Sequence, residues 1–194
     1  QLRAALPLEW TDEERHRFLT ARLAGDEIDE FACEVAKLSL ILADYPNHNG
    51  WDIQQADLFA SDRLRKRITA DTFVICNPPF EDFHVEDRNS KISRNNVSKP
   101  IAVLEEVIAA HPAGICFVLP SSFIVDKRYR KVRALMESRY ATVEIVEIPD
   151  DVFSASRSAA SLLIARDPRK AADEPRITIR SSEVTLRDRL PFLK

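Results

Sequence analysis

Residues 72–76, Thr-Phe-Val-Ile-Cys, form an unbroken apolar run that stops at Asn77-Pro78-Pro79-Phe80. A short run without polar alternation reads as a strand buried on both faces of a parallel sheet. Two consecutive prolines then exclude a helix or a continued central strand. Gly114 to Leu119 repeats the pattern and runs into Pro120-Ser121-Ser122. Leu23 to Ile28 and Trp51 to Asp57 read as earlier strands, and Val143 to Ile148 and Ser161 to Ala165 as a late pair with no helix between them. Arg176 to Arg180 is expected as a last strand before a short closing helix.

Helical spacing fills the intervals. Gln1 to Leu6 reads as a helix tail, and Thr11 with Glu14 marks a capping box ahead of a helix to Leu19. Phe31, Val35, Leu38 and Leu42 share one face of a helix capped by Asp29. Ser98 and Pro100 open another with Ile101, Leu104, Val107 and Ile108 on its buried side, and Tyr129 to Arg139 is a basic helix. The resulting class is α/β: a mostly parallel sheet with an antiparallel late strand, expected at its edge.

The 194 residues are 45% hydrophobic and 30% charged with only 3 Gly, which excludes collagen-like and wholly disordered chains. No apolar run nears the roughly 20 residues that cross a bilayer, so a soluble, cytoplasmic protein without membrane contact is expected. Cys33, Cys76 and Cys116 sit in apolar stretches and read as reduced core residues. His16, His48, His84 and His111 lack ligand spacing, so no metal is expected. A net charge of −3 argues against a dedicated nucleic-acid module, yet basic residues cluster at 63–67, at 127–133 and, without an acid, from Arg88 to Leu104. The first two clusters read most simply as solvated helix faces.

Ligands of open sheets bind beyond the carboxyl ends of the strands, and this chain places its unusual residues there. Glu27 suits the two hydroxyls of a ribose, with helix capping by Asp29 the equal alternative. Asp57 can accept from an adenine amine while Leu58 and Phe59 cover the ring, or it is a turn residue. Asn77-Pro78-Pro79-Phe80 is the most specific feature. It offers a carboxamide and a carbonyl on a stiff backbone beside an aromatic ring, which suits a planar ring bearing NH2. Two acceptors at that nitrogen favour a pyramidal geometry and stabilise the positive charge that develops on alkylation.

These residues resemble the S-adenosylmethionine-dependent N6-adenine DNA methyltransferases, whose catalytic tetrapeptide is [DN]-P-P-[YFW]. The resemblance covers residues 20 to 167 and implies a Rossmann-like methyltransferase fold. It assigns Asn77, Pro78, Pro79 and Phe80 to catalysis, and Glu27, Ile28, Asp57 and Leu58 to S-adenosylmethionine. It also implies a DNA adenine methyltransferase of a restriction–modification system, acting on a flipped base in double-stranded DNA, with a specificity subunit or domain outside these residues. Arg88, Lys91, Arg94 and Lys99, interleaved with Asn and Ser, suit DNA phosphates. A protein-glutamine or rRNA guanine amino-methyltransferase is the alternative substrate reading; Phe80 favours DNA, since the glutamine enzymes usually carry Tyr there. An inactive methyltransferase-like DNA-binding subunit is the reading from another class.

The family's Gly-rich first motif has no counterpart, since the glycines stand at 25, 50 and 114. It is expected upstream of Gln1, so the first strand is expected to be missing; that Met136 is the lone methionine agrees. The expected organisation is a helical lead-in at 1–20, the methyltransferase region at 21–168 and an extension at 169–194.

Overall fold

The computed structural model describes residues 2–59, 63–84, 98–148, 159–169 and 176–181, and the chain divides into two units, Gln1–Ser61 and Asp62–Lys194. The first unit begins with a 3-10 turn at Arg3–Ala5 in place of the expected helix tail. Pro7 is the reason: it holds Leu6 in the extended region, which ends the turn. Helix α1 (Asp12–Thr20) carries the expected capping box. Thr11 Oγ1 accepts from the Glu14 N–H at 3.2 Å, and Glu14 Oε2 accepts from the Thr11 N–H at 2.8 Å. Strand β1 (Ala24–Glu27), helix α2 (Glu30–Ala43) and strand β2 (Asp52–Gln55) follow, and β1 pairs with β2 in parallel, from Ala24↔Asp52 to Glu27↔Gln55.

One pair that local sequence patterns do not announce ties this unit together. His16 Nδ1 lies 2.6 Å from the buried Asp44 carboxylate at the end of α2, and Arg3 Nε lies 3.4 Å from its other oxygen. The apolar side chains Phe31, Val35, Leu38 and Leu42 on one face of α2 are exposed.

The second unit holds helix α3 (Arg63–Arg67), strand β3 (Phe73–Cys76), helix α4 (Lys99–Ala109), strand β4 (Gly114–Pro120) and a short helix α5 (Ser122–Val125). Helix α6 (Arg130–Arg139) and strands β5 (Tyr140–Ile148), β6 (Ala160–Pro168) and β7 (Arg176–Ser181) complete it. The strand order is β3-β4-β6-β5-β7. The pairs β3–β4 and β5–β7 are parallel, while β6 is antiparallel to both neighbours. The late antiparallel strand therefore lies inside the sheet rather than at its edge.

Period-2 alternation gives this sheet one sealed face. Ile115, Phe117, Leu119, Val143, Ile145, Leu163 and Ala165 are buried with Ile101, Leu104, Val107 and Ile108 of α4 and Val132 and Met136 of α6. The opposite face is open at β3, where Phe73 is 59% and Ile75 83% exposed. The expectation that β3 is buried on both faces is therefore not met: Val74 and Cys76 are half-buried on one face, and Phe73 and Ile75 are exposed on the other. Phe73 lies directly opposite Gly114, and a Cβ at 114 would run into the Phe73 ring, so a glycine is what lets that ring lie across β4. Among the described residues no helix is long and apolar enough to cross a membrane.

Candidate active site

In the first unit the parallel register of β1 and β2 delivers Glu27, Ile28, Asp57 and Leu58 to one end of the strand pair. Gln55 Nε2 donates to the Ile28 carbonyl at 3.3 Å, tying the two strand exits together. Glu27 Oε1 accepts from the Asp29 N–H at 3.0 Å, and Asp29 Oδ1 caps α2 by accepting from the Ala32 N–H at 2.7 Å. Capping thus belongs to Asp29, and Glu27 Oε2 has no protein partner among the described residues. Ile28 is exposed beside it. Asp57 closes an Asx turn through the Phe59 N–H at 2.8 Å, which fixes its carboxylate at the strand exit.

In the second unit the parallel pair β3–β4, with Cys76 opposite Phe117, sends Asn77–Phe80 and Pro120–Ser122 out at one end of the sheet. Asn77 is exposed, Pro78 is buried, Pro79 is exposed and Phe80 is 38% exposed. The buried proline anchors the turn, while the residue before it and the aromatic residue after it stay accessible. Burial pushes the Cys76 thiol up to about 12, and it also raises that of Cys116. Both thiols are therefore protonated at neutral pH and poor nucleophiles.

Beyond Phe80 the chain turns inward at the buried Phe83 and forms a neck. Asp82 and Ser98 make an antiparallel bridge, and the Lys99 N–H donates to the Glu81 carbonyl at 3.0 Å. Lys99 Nζ lies 2.5 Å from Glu81 Oε1 and 5.9 Å from the Phe83 ring centroid. Lys99 is thus engaged within the neck, while Arg88, Lys91 and Arg94 lie outside the described residues. Charge pattern alone groups Lys99 with those three; Glu81, eighteen residues before it in the chain, is its structural partner.

The basic cluster at 63–67 is partly paired, Arg65 meeting Glu106 of α4 at 2.8 Å. Among the described residues no group of three or more His, Cys, Asp or Glu side chains is placed to hold a metal.

Parallel strands carrying their polar residues at the carboxyl ends, with an antiparallel strand inserted into the sheet, define a Rossmann-like methyltransferase fold. Residues 8–188 match the model of the N-6 DNA methylase family, and the chain belongs to that family. No curated protein matches its sequence. Among solved structures the chain is similar to DrdV in its DNA complex, with TM-score 0.72 and 15% identity over 99% of this chain and 24% of that one. It is similar to the M protein of the type I restriction enzyme EcoKI, with TM-score 0.61 and 16% identity over 86% and 37% of the two chains. A Listeria monocytogenes chain assigned to the class I S-adenosylmethionine-dependent methyltransferases gives TM-score 0.55 and 18% identity over 89% and 53%. The chain therefore spans about a quarter to a half of the length of these proteins.

Proposed function

We propose that this protein is a DNA adenine N6-methyltransferase of a restriction–modification system with S-adenosylmethionine as its methyl donor. The observation that carries the reading is the exit of β3, where Asn77 and Phe80 are exposed around the buried Pro78. Membership of the N-6 DNA methylase family supports it.

Asn77 Oδ1 and the Pro78 carbonyl accept the two N–H bonds of the amine, and Phe80 stacks on the ring that bears it. Both acceptors draw the nitrogen away from planarity, which localises its lone pair, and they stabilise the positive charge as the new N–C bond forms. Pro79 keeps the backbone from relaxing while this happens. Attack on the methyl carbon is direct, and the surplus proton leaves the nitrogen for solvent. Neither Cys76 nor Ser121 is required as a nucleophile. Extrusion of the adenine from its stack costs on the order of a few kcal/mol, which stacking on Phe80 offsets.

The residues of the first unit fit the ribose and adenine ends of the donor. Glu27 has one carboxylate oxygen without a partner among the described residues for the hydroxyls, Ile28 packs on the ring, and Asp57 with Leu58 takes the adenine amine. When bound, S-adenosylmethionine supplies an electrophilic methyl group on a positively charged sulfur. Glycines at 25, 50 and 114 form no Gly-rich cradle for its methionine end. Arg88, Lys91 and Arg94 are assigned to DNA phosphates, with Lys99 joining them when its pair with Glu81 opens. A specificity subunit or domain is the partner this reading calls for.

The test is transfer of labelled methyl from S-adenosylmethionine to duplex DNA, an rRNA fragment and a release-factor peptide offered in parallel. Label in N6-methyladenine is the expected result. Label confined to the peptide or the RNA overturns the DNA reading.

A further inference from the structure

The segment after β4 gathers cations whose presence the fold does not explain. Lys127 and Arg128 stand in the 3-10 turn Lys127–Tyr129, Arg130 and Lys131 in the first turn of α6, and all four side chains are exposed. Arg133, from the same cluster, serves the local fold, since its Nη1 donates to the Phe123 carbonyl at 2.6 Å and the Asp126 carbonyl at 3.0 Å. Arg128 is half engaged, its Nε 2.8 Å from Asp126 Oδ2 and its guanidinium 5.4 Å from the Tyr129 ring centroid. Lys127, Arg130 and Lys131 have no hydrogen-bond or ion-pair partner among the described residues.

Helix stability does not account for them. The first turn of α6 contains no acid, and cations at a helix N-terminus oppose the helix dipole. Their position explains them better. The segment leaves the carboxyl end of β4, the end of the sheet at which the parallel β3 presents Asn77–Phe80. Glu81 is engaged by Lys99 and Asp126 by Arg128.

We propose that Lys127, Arg130 and Lys131, with the outer edge of Arg128, hold the phosphodiester backbone of the DNA strand whose base is presented to Asn77–Phe80. The inference rests on the DNA reading above and adds a site to it. A base taken out of its stack leaves its own phosphates at the mouth of the site, and long-stemmed ammonium and guanidinium groups meet them there. These contacts carry no sequence information; they position the strand.

The test compares the protein with its Lys127→Gln/Arg130→Gln/Lys131→Gln variant and with a control lacking three cations elsewhere, Arg17→Gln/Arg22→Gln/Lys37→Gln. Affinity for a fluorescent duplex is measured from about 50 to about 200 mM salt, where each phosphate contact contributes about 0.9 to the slope of log K against log salt. The slope is expected to fall by about 2 to 3 in the first variant and to stay unchanged in the control. Affinity for S-adenosylmethionine stays unchanged, and the melting temperature is unchanged or raised because the dipole is no longer opposed. An unaltered slope, or a loss seen with an rRNA stem-loop and not with duplex DNA, overturns this site alone. Failure of the unsubstituted protein to bind duplex DNA overturns it together with the DNA reading.

Discussion

Lys99 reaches back across eighteen residues to Glu81, its Nζ 2.5 Å from Oε1 and its backbone N–H donating to the Glu81 carbonyl at 3.0 Å. This pair closes the neck just past Phe80. It also holds the Glu81 carboxyl below the usual carboxylate range, because the ammonium hydrogen bond favours the ionised form. Lys99→Met keeps the stem and removes the charge, so amide exchange at residues 99–102 should quicken several-fold. Exchange at the β4–β6 ladder should not change. Equal protection in variant and parent would remove the neck's role.

Phe80 is 38% exposed, so its replacement is read by binding and transfer together with the melting temperature, which reports any loss of packing. Phe80→Ala should weaken duplex binding and methyl transfer by roughly ten- to a hundredfold, the equivalent of about 1–3 kcal/mol of base stacking. Phe80→Tyr keeps the aromatic face and should keep most of the activity. A kinetic comparison of the two separates stacking from mere bulk.

Within the second unit, burial predicts opposite sensitivities. Leu104 is 0% exposed, so Leu104→Ala should cost about 2–5 kcal/mol in urea denaturation of the 194-residue chain. Ile75 is 83% exposed, so Ile75→Lys should lie within about 0.5 kcal/mol of the parent. The charge should also reduce self-association, since β3 pairs only with β4 among the described strands and its open face is apolar.

Cys76 supplies a pH dependence. Its thiol rises from an ordinary 9.0 to about 12 through burial, so the unfolded chain ionises first as pH rises. The stability it contributes is whole below about 9 and lost between there and about 12. Replacement by Ala should flatten the alkaline fall of the melting temperature. In the native protein, iodoacetamide should label Cys76 far more slowly at mildly alkaline pH than it does after denaturation.

What the sequence made legible was local. The Thr11–Glu14 capping box, the Asp29 cap, the extents of α4 and β4 and the turn at Asn77–Phe80 all follow from short-range rules, and the structure places them within a residue or two of expectation. The pairing of β5 with β6, adjacent in the chain, was legible as well, but pairing over longer distance was not. Nothing near Val143 or Ser161 states that β6 enters between β4 and β5, and nothing near His16 names Asp44. The apolar spacing of α2 and the apolar run of β3 likewise did not reveal that Phe31, Val35, Leu38 and Leu42 of the one, and Phe73 and Ile75 of the other, are exposed. At the site, proline and aromatic residues announced the β3 exit because their backbone constraints are intrinsic. The cations at 127–131 resembled any solvated helix face until the strand register put them at the same end of the sheet.

In the proposed reaction the Asn77 carboxamide is the acceptor for an aromatic amine on which transfer depends most. Single-turnover transfer of labelled methyl to duplex DNA tests it directly, with Asn77→Asp and Asn77→Ala beside the parent. Asp retains an acceptor oxygen and should keep measurable transfer to N6 of adenine, while Ala should slow the step by about 10²–10³-fold with donor affinity unchanged. Transfer by the Ala variant at the parent rate would show that Asn77 does not hold the amine.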